Sequence, residues 1–406
     1  MNRQAVILAG GMGTRLGSLT ESIPKPVLPV GGEPFINYLI WNLARHGITD
    51  IIVSSGYQHA QMVFVMETHP VPGVEVRFVQ EATPLGTGGG LRNCLSLLEE
   101  QFFVLNGDSI FELNYLDLAM RASTGAAIGL REVEDTARYG RVDVATGLVT
   151  SFREKGDSGP GFINSGIYCL SRGIVEEMPE GECSLERDVF PRLVAENRLA
   201  AGFYSGFFID IGIPEDFERA QTEVPAWKRK GALFLDRDGV LNINYGYVHS
   251  WEKWTWCAGA KEAIKFVNDN GLLVILVTNQ SGIGRGYYDT ETFNTLMCRV
   301  QEDLAEIGAH MDGIYHCPHH PEAGIGRYKQ ACDCRKPGPG MLMQALSEWD
   351  IDLERSLMIG DSPKDIEAGE RAGVTDTCLF DPEKMNLLEC IRGSATILGL
   401  AVVPGE

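Results

Sequence analysis

With 406 residues, 44% hydrophobic and 22% charged, the chain has an ordinary globular composition and is long enough for two cores rather than one. Its formal charge of −20 argues against a nucleic acid or an anionic membrane surface as partner, since either would want a basic face. It leaves small anionic substrates open, because these feel only the local field of a site. No apolar run reaches the roughly 18 residues of a membrane span, and the opening MNRQAVILAGGMG lacks a secretory h-region. Cysteines 94, 169, 183, 257, 298, 378 and 390 stand apart, as expected of reduced thiols in a cytoplasmic protein whose partners are small molecules.

In chain order, AVILAGGMG (5–13) reads as a buried strand feeding a glycine-rich turn. Gly10, Gly11 and Gly13 let backbone N–H groups approach an anion, and Arg15 and Lys25 are placed to neutralise phosphate charge. No Gly-Lys-Ser/Thr follows, so this is not a P-loop; taken alone, it is a dinucleotide-type turn or simply a tight one. YLIWNLARHG then reads as an amphipathic helix and DIIVSSG as a strand. PLGTGGGL (84–91), NGDSI (106–110), FREK (152–155), NSGIY (164–168) and FFIDIGIPEDFERA (207–220) follow, with Asp108 at a strand end and Asp210 before a helix. That helix is expected to break near Pro225. Lys228-Arg229-Lys230 precedes a second opening strand, which sets domains at 1–224 and 230–406.

The second half repeats the plan. GALFLDRDG (231–239) places Asp236 and Asp238 just past a buried strand, and a DxD pair there either caps a turn or holds a metal. AIKFVNDNG reads as a helix, LLVILVTNQ as a strand ending at Thr278 and Asn279, and SLMIGDSPKD as a strand ending at Asp361. Between them, CPHHPEAGIGRYKQACDCRKPGPG (317–340) crowds three cysteines and two histidines. In a chain of otherwise reduced thiols a metal is favoured over a disulfide. Cys317, His319, Cys332 and Cys334 form a Cys₃His set suited to structural Zn²⁺, with His320 as the alternative to His319. Alternating strands and helices in both halves predict an α/β protein of two Rossmann-like domains with mostly parallel sheets, ligands sitting at the carboxyl ends of strands.

The ordered motifs of the first half resemble the sugar-1-phosphate nucleotidyltransferases, whose signature joins a GGxGTRL loop to Pro-Lys-Pro. Here those residues are Gly10, Gly11, Gly13, Thr14, Arg15, Leu16 and Pro24-Lys25-Pro26. The resemblance implies that Gly86, Thr87 and Gly88 hold base and ribose, and that Glu154, Lys155 and Asn164 orient the sugar phosphate. Asp108 and Asp210 would hold Mg²⁺, while Arg15 and Lys25 offset charge on the triphosphate. Residues 231–380 are similar to the haloacid-dehalogenase phosphatases. By that resemblance Asp236 is the nucleophile and Asp238 the acid–base, with Mg²⁺ at Asp236, the Asp238 carbonyl and Asp361. Thr278, Asn279 and Lys336 would bind the transferring phosphoryl group, and Asp365 would support the metal.

The C-x-H…C-x-C run before Arg335-Lys336 resembles one phosphatase branch, which contains heptose 1,7-bisphosphate 7-phosphatases and histidinol-phosphate phosphatases. Fusion to a nucleotidyltransferase favours the heptose substrate, because heptose 1-phosphate is what such a transferase consumes. The first half resembles the guanylyl branch, implying GTP and a GDP-heptose product, with Arg335 at the distal 1-phosphate. The alternative is a hexose (mannose) 1-phosphate nucleotidyltransferase joined to a phosphatase for another phosphosugar or for histidinol phosphate.

Overall fold

The computed structural model describes residues 3–400 except 12, 138–139 and 154–157. Two compact units divide the chain, Met1–Lys228 and Arg229–Glu406.

In the first unit a nine-stranded sheet runs in the order Glu75–Gln80, Asp50–Ser55, Gln4–Ala9, Gln101–Asn106, Gly161–Ser171, Ala126–Val133, Leu199–Tyr204, Leu148–Phe152, Val142–Ala145. Its first four strands are parallel, and residues 161–171 then enter antiparallel. The α/β expectation therefore holds, with the parallel part forming one flank and a mixed part the other. The opening strand shows why AVILA is apolar throughout. Ala5, Ile7 and Ala9 face one core while Val6 faces the other, so both faces of the strand are covered.

The helix Pro214–Lys228 does not break at Pro225 as expected. Packing overrides propensity here. Trp227 stacks on Phe207 with ring centroids 5.7 Å apart and meets Trp41 edge-on at 5.7 Å. Pro225 itself lies so close to Gly31 (φ 56) that a Cβ there would sit 2.3 Å from its ring. The last turn is thus held by aromatic burial in which each ring contributes roughly 1.5–3 kcal/mol.

The second unit is built on five parallel strands in the order Gly313–Cys317, Leu273–Asn279, Ala232–Leu235, Leu357–Gly360, Asp376–Leu379. Helices Ala260–Asp269 and Thr290–Ala305 cover one face through Ala263, Ile264, Val300 and Leu304. Helices Gly340–Glu348 and Pro363–Ala372 cover the other through Met341, Leu342, Ala345 and Ala368. No helix among the described residues is long and apolar enough to cross a membrane.

Candidate active sites and metal centre

The cleft of the first unit, about 480 Å³, opens at the carboxyl ends of Gln4–Ala9 and Gln101–Asn106, where the chain leaves the middle of the parallel flank in two directions. Gly10, Gly11, Gly13, Thr14, Arg15, Lys25, Gly86, Thr87 and Asp108 all line it. Gly13 turns through φ 64, which favours glycine, and Thr14 starts a short 3₁₀ helix over Thr14–Thr20. The short antiparallel pair 109–111 and 208–210 sets Asp210 opposite Ser109, beside Asp108. Lys25, almost fully buried, lies 2.6 Å from Asp108 and 3.8 Å from Asp210. Burial and the Asp108 charge raise the Asp210 carboxyl above its ordinary pKa, opposed by Lys25, the Gly212 N–H and Arg15. Two crowded carboxylates with one buried ammonium make a hard-oxygen site with room for further positive charge.

Gly88 is buried beneath this cleft, its N–H donating to Cys183 O at 2.9 Å. Asn164 donates to the Tyr168 hydroxyl at 2.8 Å rather than lining the cleft. Glu154 and Lys155 lie outside the described residues. Sequence reasoning missed Glu81. Its carboxylate lines the cleft, accepts from Ser54 Oγ at 2.9 Å and sits where a Cβ on Gly10 or Gly90 would strike it. A signal existed: Glu81 directly follows the parallel strand Glu75–Gln80, at its carboxyl end.

The second unit has a cleft of about 390 Å³ lined by Asp236, Asp238, Asn279, Gln280, Lys336, Asp361 and Asp365 among others. It too opens at the carboxyl ends of the central strands. Lys336 is 1% exposed, and its ammonium lies 2.8 Å from Asp236, 2.5 Å from Asp365 and 2.8 Å from Val277 O. Burial alone would lower its pKa; the two carboxylates outweigh that and hold it above the ordinary lysine value. Asn279 fixes the lysine's backbone on both sides, donating to Lys336 O and accepting from Lys336 N at 3.1 Å. Burial raises the Asp236 carboxyl above its ordinary value, and the Asp365 and Asp238 charges add to that rise, with Lys336 opposing it. Burial and the neighbouring Asp236 and Asp365 push Asp361 up to about 6.

Asp236, Asp361 and Asp365 offer carboxylate oxygens within 4.8 Å of one another, so the three together form a group able to hold a cation. Asp365 also closes a capping box with Ser362 at the start of helix Pro363–Ala372. Asp238 is held by Arg237, by Asn242 at 3.1 Å and by Gln280 at 3.1 Å, three partners that sequence reasoning did not name. Gly239 (φ 90) is obligatory, since a Cβ there would lie 2.2 Å from Asp361. Thr278 is buried and accepts from Gln280 at 2.9 Å, so it does not itself line the cleft.

Cys317, His319, Cys332 and Cys334 converge. Five of their six donor–donor distances are 3.2–3.7 Å and all lie within 4.8 Å, the imidazole offering Nδ1. A tetrahedron with Zn–S bonds of ≈ 2.3 Å has edges of about 3.7 Å, so this donor set fits such an ion. His320 turns away: its Nδ1 accepts from the Glu322 and Ala323 amides at 3.3 and 3.0 Å. Arg335 donates to His319 O at 3.0 Å, bracing this loop rather than lining the cleft.

Folds and clefts together define a two-domain enzyme of phosphate chemistry, a nucleotidyltransferase followed by a phosphatase, acting on small molecules. The nucleotidyl transferase family model matches residues 4–226, and a HAD-hydrolase-like model matches residues 333–380. The D-glycero-alpha-D-manno-heptose 1-phosphate guanylyltransferase of Aneurinibacillus thermoaerophilus is 33% identical over 226 residues, 54% of this chain and 98% of that protein. The D-glycero-beta-D-manno-heptose-1,7-bisphosphate 7-phosphatase of Pasteurella multocida is 49% identical over 155 residues, 38% of this chain and 84% of that protein. The crystal structure of HddC from Yersinia pseudotuberculosis is 38% identical at a TM-score of 0.50, covering 54% of this chain and 98% of that one; HddC has also been solved complexed with GMP-PN. The chain belongs to the nucleotidyl transferase family, and its second domain to the phosphatase family that includes the Pasteurella enzyme.

Proposed function

We propose that the chain performs two consecutive steps in making GDP-D-glycero-α-D-manno-heptose. The second domain hydrolyses the 7-phosphate of D-glycero-D-manno-heptose 1,7-bisphosphate, and the first transfers GMP from GTP to the resulting heptose 1-phosphate, releasing pyrophosphate. The observation that carries this reading is a charged cleft in each domain of one chain, together with two relatives that share the α anomer: the D-glycero-alpha-D-manno-heptose-1,7-bisphosphate 7-phosphatase of Burkholderia mallei, 49% identical over 149 residues, and the guanylyltransferase above.

In the phosphatase domain the Asp236 carboxylate attacks phosphorus and forms an aspartyl-phosphate. Asp238 protonates the departing alkoxide and then takes a proton from the water that hydrolyses the acyl phosphate. Lys336 neutralises the nucleophile and the phosphoryl oxygens, and Asn279 holds it in place. Asp236, Asp361 and Asp365 would hold Mg²⁺, which supplies charge neutralisation for the approach of anion to anion. In the transferase domain the sugar phosphate oxygen attacks the α-phosphorus of the triphosphate. Arg15 and Lys25 offset its charge, and Asp108 and Asp210 would hold Mg²⁺. Cys317, His319, Cys332 and Cys334 would hold Zn²⁺ as a structural clip on the loop that delivers Lys336.

Glu81 favours guanine. A carboxylate accepts two hydrogen bonds side by side, and guanine alone presents N1–H and N2–H₂ as adjacent donors on one edge. Uracil and thymine flank their single N–H with carbonyl oxygens, which a carboxylate would repel. Adenine and cytosine set an acceptor beside their amino group.

The test offers purified protein each anomer of the bisphosphate with Mg²⁺ and each nucleoside triphosphate in turn. GDP-heptose detected by mass with GTP alone is the expected result. Phosphate release with no nucleotide sugar would remove the two-step reading.

A further inference from the structure

The nucleotide loop of the first domain is fastened along one side to residues 183–186. Cys183 N donates to Leu85 O at 2.9 Å, and Cys183 O accepts from Gly88 and Gly89 at 2.9 and 3.1 Å. A Cβ on Gly86 (φ 73) would lie 2.6 Å from Cys183 O, so this approach needs glycine. The chain then makes one turn of π-helix, Leu185–Val189, capped by the Ser184 hydroxyl accepting from Arg187 N. Such wide turns re-aim a side chain that an α-turn would place elsewhere.

The side chain re-aimed here is Glu186. Its Oε2 accepts from Thr87 Oγ1 at 2.8 Å and from Ser184 Oγ at 3.0 Å, while Thr87 Oγ1 accepts from Leu185 N at 2.9 Å. Its Oε1 lies 3.5 Å from the Tyr168 hydroxyl, which accepts from Asn164 Nδ2 at 2.8 Å. Tyr168 is fully buried, and burial followed by the Glu186 charge raises its pKa well above the phenol range, so its proton stays available to donate. An acidic residue in a first helical turn could serve only the helix end. That role would not require a hydroxyl donor from the nucleotide loop or a reach toward Tyr168.

We propose that Glu186 is a positioning residue for nucleotidyl transfer: one carboxylate fixes the nucleotide loop through Thr87 and, through Tyr168, the Asn164 side chain that the family resemblance assigns to the sugar phosphate. Binding of either substrate then depends on the same anchor. The inference rests on the transferase reading above and adds a residue to it. It predicts that losing the carboxylate loosens both substrate sites together and leaves the chemical step largely intact.

The test measures pyrophosphate release by the full chain with both substrates varied, for Glu186→Ala, Glu186→Gln, Thr87→Val and the Thr87→Val/Glu186→Ala double variant. Glu186→Ala should raise KM for triphosphate and for sugar phosphate about tenfold each, the fold-change equivalent to ~1.4 kcal/mol and near the lower end for a hydrogen bond to a charged group. Its kcat should stay within about threefold of the wild type. Glu186→Gln keeps an acceptor oxygen and should recover most of the loss. The double variant should match the worse single variant in triphosphate KM, because both remove one shared interaction. A fall in melting temperature with both KM values unchanged, a rise in only one KM, or additive effects in the double variant would each overturn the proposal. If the wild type turns over a different nucleotide and sugar phosphate, the substrate reading fails and the coupling is judged with that pair.

Discussion

Lys336→Met is the most searching perturbation of the phosphatase domain. The methionine fills a similar volume but leaves Asp236 and Asp365 buried without the ammonium that lies 2.8 and 2.5 Å from them. Removing one partner of a buried ion pair costs about 3–5 kcal/mol. At 2–4 °C per kcal/mol for a domain of 150–250 residues, the phosphatase melting transition should fall by roughly 6–20 °C. The loss should depend on pH with a definite sign. Without the lysine, the folded pKa of Asp236, already raised by burial, rises further above its unfolded value of about 3.9, so the folded state binds more protons. The variant's deficit is therefore full at neutral pH and shrinks as pH falls through that raised folded pKa. Calorimetry of the full chain between pH 7 and pH 4.5 measures this, with the transferase transition as an internal reference. A Lys336→Met protein that loses phosphate release but melts with the wild type at every pH would refute the reasoning, since the lysine would then not be offsetting two buried charges.

Asp236→Asn should abolish phosphate release and leave pyrophosphate release from supplied heptose 1-phosphate within about twofold, since the two activities use separate residues; loss of both would show that the sites depend on each other. His319→Ala should lower bound zinc, measured by metal analysis, and weaken phosphate release, whereas His320→Ala should keep the metal because its ring serves a local turn; the opposite pattern would reassign the ligand. Glu81→Gln should raise KM for GTP by roughly 10- to 100-fold, from the loss of charged hydrogen bonds worth ~1.5–3 kcal/mol; an unchanged GTP preference would take Glu81 out of base recognition.

The strand-end residues were legible because a buried parallel strand followed by glycines or a DxD pair leaves few places for a ligand. Asp236, Asp361, Asp108 and the Gly10–Gly13 turn all follow that logic, and the structure gathers them into two clefts. The Cys317–Cys334 cluster was equally readable, since soft ligands in tight pairs have few other uses. Partners contributed by distant segments were not legible. Nothing local shows that Gln280 and Asn242 clasp Asp238, or that Glu186 meets Thr87 across 99 positions. The family resemblance gives Asp365 only a supporting role at the metal; the capping box, invisible without the fold, turns it back toward Lys336 and the other carboxylates. The helix running through Pro225 shows the same limit, since Gly31 and Trp41 hold it from nearly two hundred residues away.

The strand order of the second domain has a consequence for synthesis on the ribosome. Ala232–Leu235 is translated first yet lies at the centre of the sheet, flanked by Leu273–Asn279 and by Leu357–Gly360. Its second flank appears only after more than a hundred further residues, at about 5–20 residues per second, a delay of many seconds with one edge of an apolar strand unpaired. Ser356 marks the closing event, its hydroxyl accepting from Ala232 N at 3.0 Å as the last flank docks. The phosphatase sheet therefore closes late and around its oldest strand, and chains halted between residues 236 and 356 are the species a chaperone would be expected to hold.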